Sequence, residues 1–280
     1  MTNPVDPLSE RGVTGLRLSR RSLIAAGAIV ATVGSTSVAK AFANPSKWQQ
    51  QGFGGGPERP GSAPDHNCFC RGTRLLTATG EIAVEDLSIG DVVVTHGGAE
   101  RPTRWIGRVS VRRDGGSAWT EGAMPLRIAK DAFAPGVPHR DLYLSREHRL
   151  FLNGVLISAG NLINGTTIRA VAPETDVVHY FHVELDGHDV LLAEGAPCDS
   201  LLASAESRMR FDNYDEYVAE YGPAAVATMV PCAPIASFNG GRGELKSRLR
   251  SALAPIVDIR HPMDIVRDNL EARARLSKAA

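Results

Sequence analysis

A mainly β fold followed by a small α-helical C-terminal region is what this sequence predicts, on three observations. Between Cys68 and Cys198 short apolar runs recur, broken by Gly, Asn and Asp, at a spacing that suits strands joined by tight turns. Beyond Ser200 the apolar period lengthens to that of helices. From Asn44 to Asn67 neither period is present, and Gly, Pro and Gln dominate.

The chain opens on an address. In "RLSRRSLIAAGAIVATVGSTSVAKAFAN" the pair Arg20-Arg21 precedes a weakly apolar run, Leu23 to Ala39. Gly27, Gly34, Ser35, Thr36 and Ser37 make that run a poor membrane anchor. It ends on two small-x-small options, Ala39-Lys40-Ala41 and Ala41-Phe42-Ala43. Residues 1–43 are therefore expected to be a twin-arginine-type signal, delivering a periplasmic or secreted protein with no transmembrane span in the mature chain. The alternative is an uncleaved helix that tethers the protein loosely. Residues 44–67, "NPSKWQQQGFGGGPERPGSAPDHN", read as a disordered linker or a short cargo peptide.

Composition narrows the partners. A hydrophobic content of 43% supports a packed core, and a formal net charge of zero removes the electrostatic case for nucleic acid or an anionic membrane. Four cysteines are too few to staple a scaffold of 280 residues.

From Cys68 the elements follow in order. "TRLLTATGEIAVEDL" reads as strand, Thr79-Gly80 turn, strand. "GDVVVTHGGAERPTRWIGRVSVRR" supplies strands around a His96-Gly97-Gly98 turn, with alternation in "RWIGRVSVRR". "MPLRIAKDAF", "RDLYLSREHRLFLNGVLISAGNLINGTTIRAV" and "DVVHYFHVELDGHDVLLAEG" continue in short runs, with helical turns expected only at Asp131–Phe133 and Asn161–Ile163. "GTRLLTA" echoes "GTTIRAV", and "RWIGRVSV" loosely parallels "HYFHVELD". In the tail, Tyr214, Tyr217 and Tyr221 and then Leu245, Leu249 and Leu253 keep helical spacing. Pro255 and Pro262 punctuate, and Met263–Ser277 reads as a charged amphipathic helix. Residues 201–280 are read as a packing cap, or as a surface for a protein partner.

Three local signals carry chemistry: Cys68 before Gly72-Thr73; Ser145-Arg146-Glu147-His148 after the strand "DLYL"; and "HYFHVELDGHDVLLAEG", where His182 and His188 flank an expected Asp186-Gly187 turn. Cys68-Phe69-Cys70 also fits two ligands on one strand face, but no second pair follows at zinc spacing. Cys70 as a disulfide partner or inert core, and a Cys198–Cys232 disulfide, stay open. His96, His139, His179 and His261 read as surface or turn residues, and Trp105 as core.

Together these signals resemble the Hint family, the self-processing module of inteins, bacterial intein-like domains and hedgehog C-terminal halves. The chain is most similar to bacterial Hint-domain proteins outside those groups, over about Cys68 to Ser200. The family's C-x-x-x-G-T falls on Cys68, Gly72 and Thr73. Its T-x-x-H falls on Ser145 and His148, with serine in place of threonine, and its late histidine on His188. The resemblance implies a horseshoe-shaped β fold with pseudo-twofold symmetry over 68–200, and autoprocessing without a cofactor or metal.

The chemistry has its own logic. Attack of the Cys68 sulfur on the Asn67 carbonyl turns the Asn67–Cys68 amide into a thioester, and the leaving nitrogen needs a proton. His148 is the candidate donor, since imidazole cycles near neutrality. Ser145 would bond the carbonyl oxygen or orient the amide; one such donor contributes about 3 kcal/mol in well-studied enzymes. Thr73 would position the thiol. After "AEG" the chain reads Ala196-Pro197-Cys198-Asp199-Ser200, with no asparagine to cyclise, so splicing is not expected. Water, a small thiol, an amine or an alcohol would resolve the thioester, with His182, Asp186 and His188 as candidates for activating it. The alternative is a noncatalytic exported binding or structural module of the same fold.

Overall fold

The computed structural model describes residues 67–113, 115, 117–119, 122–222, 228–236, 240–255 and 260–279. The expected signal segment 1–43, and all of the expected linker except Asn67, lie outside the described residues.

The polypeptide is mainly β, as the turn spacing predicts. The first strands are β1 (Phe69–Cys70), β2 (Arg74–Thr77), β3 (Gly80–Ala83), β4 (Val92–Val94), β5 (Glu100–Pro102) and β6 (Trp105–Arg112). Then come β7 (Leu126–Ile128), β8 (Leu142–Leu144), β9 (Arg149–Leu152), β10 (Val155–Ser158) and β11 (Ile168–Ala170). The last are β12 (Val177–Glu184), β13 (Val190–Ala193), β14 (Ala196–Asp199) and β15 (Ile235–Ala236). Two expectations fail locally. The second arm of the first hairpin stops at Ala83 and Val84–Asp86 coil into a 3-10 turn. Asp131–Phe133 forms no helix, because Asp131 takes a left-handed φ of 61° and turns the chain there. The helical turn expected at 161–163 exists, one turn of 3-10 helix over Ala159–Leu162.

Two sheets result. One runs β11-β7-β8-β1-β12-β6; the other runs β15-β10-β9-β14-β13-β2-β4-β5, with β3 added on β2. Of the two echoes, one is a strand pair, β6 and β12 running antiparallel from Trp105↔Glu184 to Arg112↔Val177, and the other, β2 and β11, is split between the sheets. Along β6 the alternation is realised, with Trp105, Gly107, Val109 and Val111 turned inward. Gly107 is required there, since a Cβ would lie 2.7 Å from the Phe211 ring.

Three times the chain passes from the first sheet to the second: between β1 and β2, between β8 and β9, and between β12 and β13. Each crossing is a short irregular segment, where side chains escape the two-residue alternation of a strand. The first needs Gly72, whose φ of 87° suits a residue without a Cβ. Thr73, Ser145, His148, Asp186 and His188 lie on these crossings, whereas Cys68 precedes β1 and His182 lies within β12. Because β12 and β13 belong to different sheets, His182 and His188 do not sit on one hairpin, as the Asp186-Gly187 turn suggested.

Past Ser200 come α1 (Ala205–Arg208), α2 (Tyr214–Tyr221), α3 (Gly240–Leu253) and α4 (Pro262–Ala279). Leu201, Ala203, Phe211 and Tyr217 share one apolar core with Cys68, Cys70, Trp105 and Tyr180. Met263, Val266 and Leu270 of α4 join the larger core of the sheets. On α3 the leucine period finds the helix but not its burial: Leu249 and Leu253 are exposed. Among the described residues no helix is long and apolar enough to cross a membrane.

Arg208 ties the α1–α2 segment to the sheet. Its Nε and Nη2 each lie 2.8 Å from a different oxygen of Glu184, and both residues are almost wholly buried. Its guanidinium also stacks 4.8 Å from the Tyr217 ring centroid. Replacing Arg208 leaves the buried Glu184 carboxylate with only the more distant Arg104, 3.7 Å away, which costs far more than an apolar swap of the pair. Arg208→Ala is therefore expected to lower unfolding free energy by about 3–5 kcal/mol. Glu184→Gln combined with Arg208→Met should recover most of that loss, as read from denaturant midpoints.

Candidate active site

Cys68 lies immediately before β1, wedged between β8 and β12. Its peptide N–H donates to Ser145 Oγ at 2.8 Å. The Ser145 N–H donates back to the Cys68 carbonyl, also at 2.8 Å. This reciprocal pair locks the junction onto the β8–β9 crossing. Ser145 thus holds the amide nitrogen, the orienting role; the expected bond to the Asn67 carbonyl oxygen is not the one seen. The same crossing turns back on itself, His148 N–H to Ser145 C=O at 3.2 Å, and drives the His148 ring into the interior.

There His148 packs 4.1 Å from the Phe69 ring and 5.0 Å from the His182 ring, centroid to centroid. A residue the motif search missed completes the group. Asp199, at the end of β14 and fully buried, places Oδ1 3.6 Å from His148 Nε2 and Oδ2 3.5 Å from His188 Nε2. Arg149 secures the carboxylate with its backbone N–H (3.2 Å) and Nη1 (3.1 Å). His188 Nδ1 accepts the Cys232 N–H at 2.9 Å, which turns Nε2 toward Asp199.

The electrostatics follow from burial. Burial first, then neighbouring Cys70 and Asp199, push the Cys68 thiol well above its ordinary pKa. Burial likewise raises Cys70. His148 is pulled down to about 4, mainly by burial, with Asp199 opposing. His182 is lowered too, by burial and then by His148. For Asp199, burial alone would raise the carboxyl, but His188, His148, His182 and Arg149 together hold it below its usual value. At neutral pH the group thus holds one carboxylate beside two uncharged imidazoles, those of His148 and His182. Both ring nitrogens of His148 and His182, and Nε2 of His188, are buried without a hydrogen-bond partner. Unsatisfied nitrogens at this depth are uncommon and mark a place where protons or a ligand are handled.

The remaining predicted residues divide. Ser145 is bonded to Cys68, while His148, His182 and His188 gather around Asp199. Thr73 is buried, but its hydroxyl donates to the Tyr143 carbonyl (3.1 Å), pinning the β1–β2 crossing to β8. Asp186 stands outside: its carboxylate faces solvent and pairs with Arg101 at 3.5 Å. All four cysteines carry free thiols, so the candidate Cys198–Cys232 bridge is not formed. His139, read as an ordinary turn residue, sits 3.0 Å from Glu81 and 3.5 Å from Glu194. One atom each from His148, His182 and Asp199, and likewise from Glu81, His139 and Glu194, lie within 4.8 Å of one another, a spacing a metal ion can bridge. In the second group Arg140 already occupies the space, 2.8 Å from Glu194. Asp199 left one legible sign, a carboxylate inside "APCDS" at the close of an apolar strand series.

A cysteine set at the mouth of a two-sheet β module, with a serine on its amide and a histidine beneath, defines a self-processing class of domain. Residues 67–205 match the family model described as Hint domain, and the chain is a Hint-domain protein. Among solved structures it is similar to a bacterial intein-like domain from Clostridium thermocellum, at 16% identity, covering 49% of this chain and 100% of that one, TM-score 0.35. It is also similar to the gp41-1 intein, at 13% identity, 48% and 98% coverage, TM-score 0.35. A third is the MchDnaB-1 intein, at 15% identity, 46% and 98% coverage, TM-score 0.33. No curated protein matches the sequence.

The lowered histidine has a thermodynamic consequence. An unfolded His148 takes its proton near pH 6.5, whereas the folded one waits until about 4. The unfolded state therefore binds more protons in that window, and stability falls as pH drops from about 6.5 to about 4. The loss expected from this residue is about 3 kcal/mol, with His182 adding in the same direction. Urea midpoints of the Cys68→Ala chain, which cannot cut itself, should follow that slope, and His148→Gln on the same background should flatten it.

Proposed function

We propose that this is an exported self-processing protein that breaks its own Asn67–Cys68 bond by an N-to-S acyl shift and does not splice. The observation that carries the reading is the reciprocal Cys68–Ser145 hydrogen bonding with His148 beneath it. A thiol with a raised pKa is a poor nucleophile on its own, so a neutral base must take its proton at the moment of attack. His148, neutral at working pH, is suited to that task. The Cys68 sulfur adds to the Asn67 carbonyl carbon while His148 accepts the thiol proton. The C–N bond then breaks as the imidazolium returns that proton to the departing nitrogen. A thioester and a free amine on Cys68 result, with no net proton exchanged. Ser145 fixes the plane of the amide throughout, and the shared chain removes the entropic cost of encounter.

An acceptor then attacks the thioester carbon, the C–S bond breaks, and the acceptor's proton returns to Cys68. Beside Asn67 lies a cavity of about 180 Å³ lined by Arg149, Leu202, Glu206 and Arg210. That is below the roughly 300–1,000 Å³ of pockets that enclose drug-sized ligands. It suits water, a small thiol, an amine or an alcohol. The absence of splicing is supported at the other end of the domain. The segment Ala196–Ser200 holds no asparagine to cyclise; Ser200 Oγ accepts the Asp189 N–H at 3.0 Å, and the chain runs on into the core beyond it.

A second reading, a noncatalytic exported module of this fold, draws on the complete burial of Cys68. Intact-mass analysis with and without hydroxylamine or a thiol separates the two. The wild-type chain is expected to lose everything before Cys68, Cys68→Ala to stay whole, and His148→Ala to slow by about 10²–10⁴-fold. A wild-type chain left uncut from about pH 6 to 9 would favour the noncatalytic module. With His148 acting as a neutral base, the rate is expected to stay level from about pH 8 down to 5 and to fall through about pH 4 as the ring becomes protonated.

A further inference from the structure

Asn67, the residue whose carbonyl would be attacked, is held by its side chain as well. In the amide orientation that satisfies its neighbours, its carboxamide nitrogen donates to the Glu147 carbonyl at 2.8 Å and its oxygen accepts from Arg149 Nη1 at 2.8 Å. Glu147 O can only accept and a guanidinium can only donate, so the two contacts read both halves of a carboxamide. A carboxylate would satisfy Arg149 but set a second acceptor against the Glu147 carbonyl. An alkyl side chain would satisfy neither, and a longer carboxamide would carry its head group past both. The same Nη1 also donates to Asp199 Oδ2 at 3.1 Å, so one guanidinium spans the acyl residue and the buried carboxylate. Glu147 lies on the β8–β9 crossing that also supplies Ser145 and His148, and Arg149 is the first residue of β9.

We propose that the Glu147 carbonyl and Arg149 form a carboxamide subsite that selects asparagine as the acyl residue and registers its carbonyl against Cys68. The inference rests on the acyl-shift reading and adds a substrate specificity to it. Displacement of a reacting group by about 1 Å costs about 100-fold in rate, which sets the expected scale.

The test uses the full chain and the rate of hydroxylamine-induced cleavage by intact mass. Asn67→Ala, Asn67→Asp and Asn67→Gln are each expected to slow cleavage by about 10–100-fold. Arg149→Gln also loosens the Asp199 carboxylate, so it should slow both chains, but the wild-type chain by about tenfold more than the Asn67→Ala chain, whose contact is already gone. A merely structural role for Arg149 would slow both equally. Cleavage of Asn67→Ala or Asn67→Asp within about twofold of wild type would overturn the subsite, with the acyl shift itself still standing. If hydroxylamine leaves even the wild type whole, the acyl-shift reading falls, and the subsite is judged on the Cys68→Ala chain. There the Asn67 side-chain amide protons should resonate apart from those of free asparagine and exchange slowly, and Arg149→Gln should erase both features. Free-asparagine signals in the parent chain would end the proposal.

Discussion

One buried carboxylate organises the centre of this molecule. Asp199 has no access to solvent, yet it stays ionised because His188, His148 and the two donors of Arg149 surround it. Its charge in turn opposes the burial that would otherwise drive the His148 pKa still lower. Remove that negative centre and three imidazoles would be packed against one another with nothing to orient their protons. The site is thus a balance between desolvation, which wants every group neutral, and a single anion that keeps proton transfer within reach.

The second constraint is topological. A strand presents its side chains alternately to two faces, so a strand alone cannot aim four neighbours at one point. The crossings between sheets can. Ser145 and His148 leave β8 and approach β9 through a segment whose backbone bonds, Ser145 to Cys68 and His148 to Ser145, replace the regular ladder. The irregular stretches are therefore where chemistry is concentrated, and the sheets serve to hold their ends apart at fixed spacing.

The C-terminal residues belong to this balance as well. Phe211 fills the space left by Gly107, Tyr217 packs on Trp105 at 5.3 Å, and Arg208 neutralises Glu184 inside the protein. Cys68 and Cys70 share that core. The floor beneath the junction is consequently built in part from the segment that follows the strands, and its rigidity is transmitted to the cysteine.

Much of this was legible from residue order. Alternation in "RWIGRVSVRR", the Thr79-Gly80 turn and the tyrosine period of α2 are local matters of sterics and apolar spacing, and they read correctly. Cys68, Ser145 and His148 each sit at a recognisable break between strands. The Asp186-Gly187 turn misled, since a turn signal says that the chain bends and not which sheet the next strand joins. Asp199 and Arg149 escaped notice because a charged residue in a strand looks solvated until packing encloses it. Local conformation and the candidate residues were thus set by the order of residues alone. Which carboxylate meets which histidine was decided only by the tertiary structure, because burial and long-range strand pairing, absent from any short stretch of chain, fix both the distances and the pKa values.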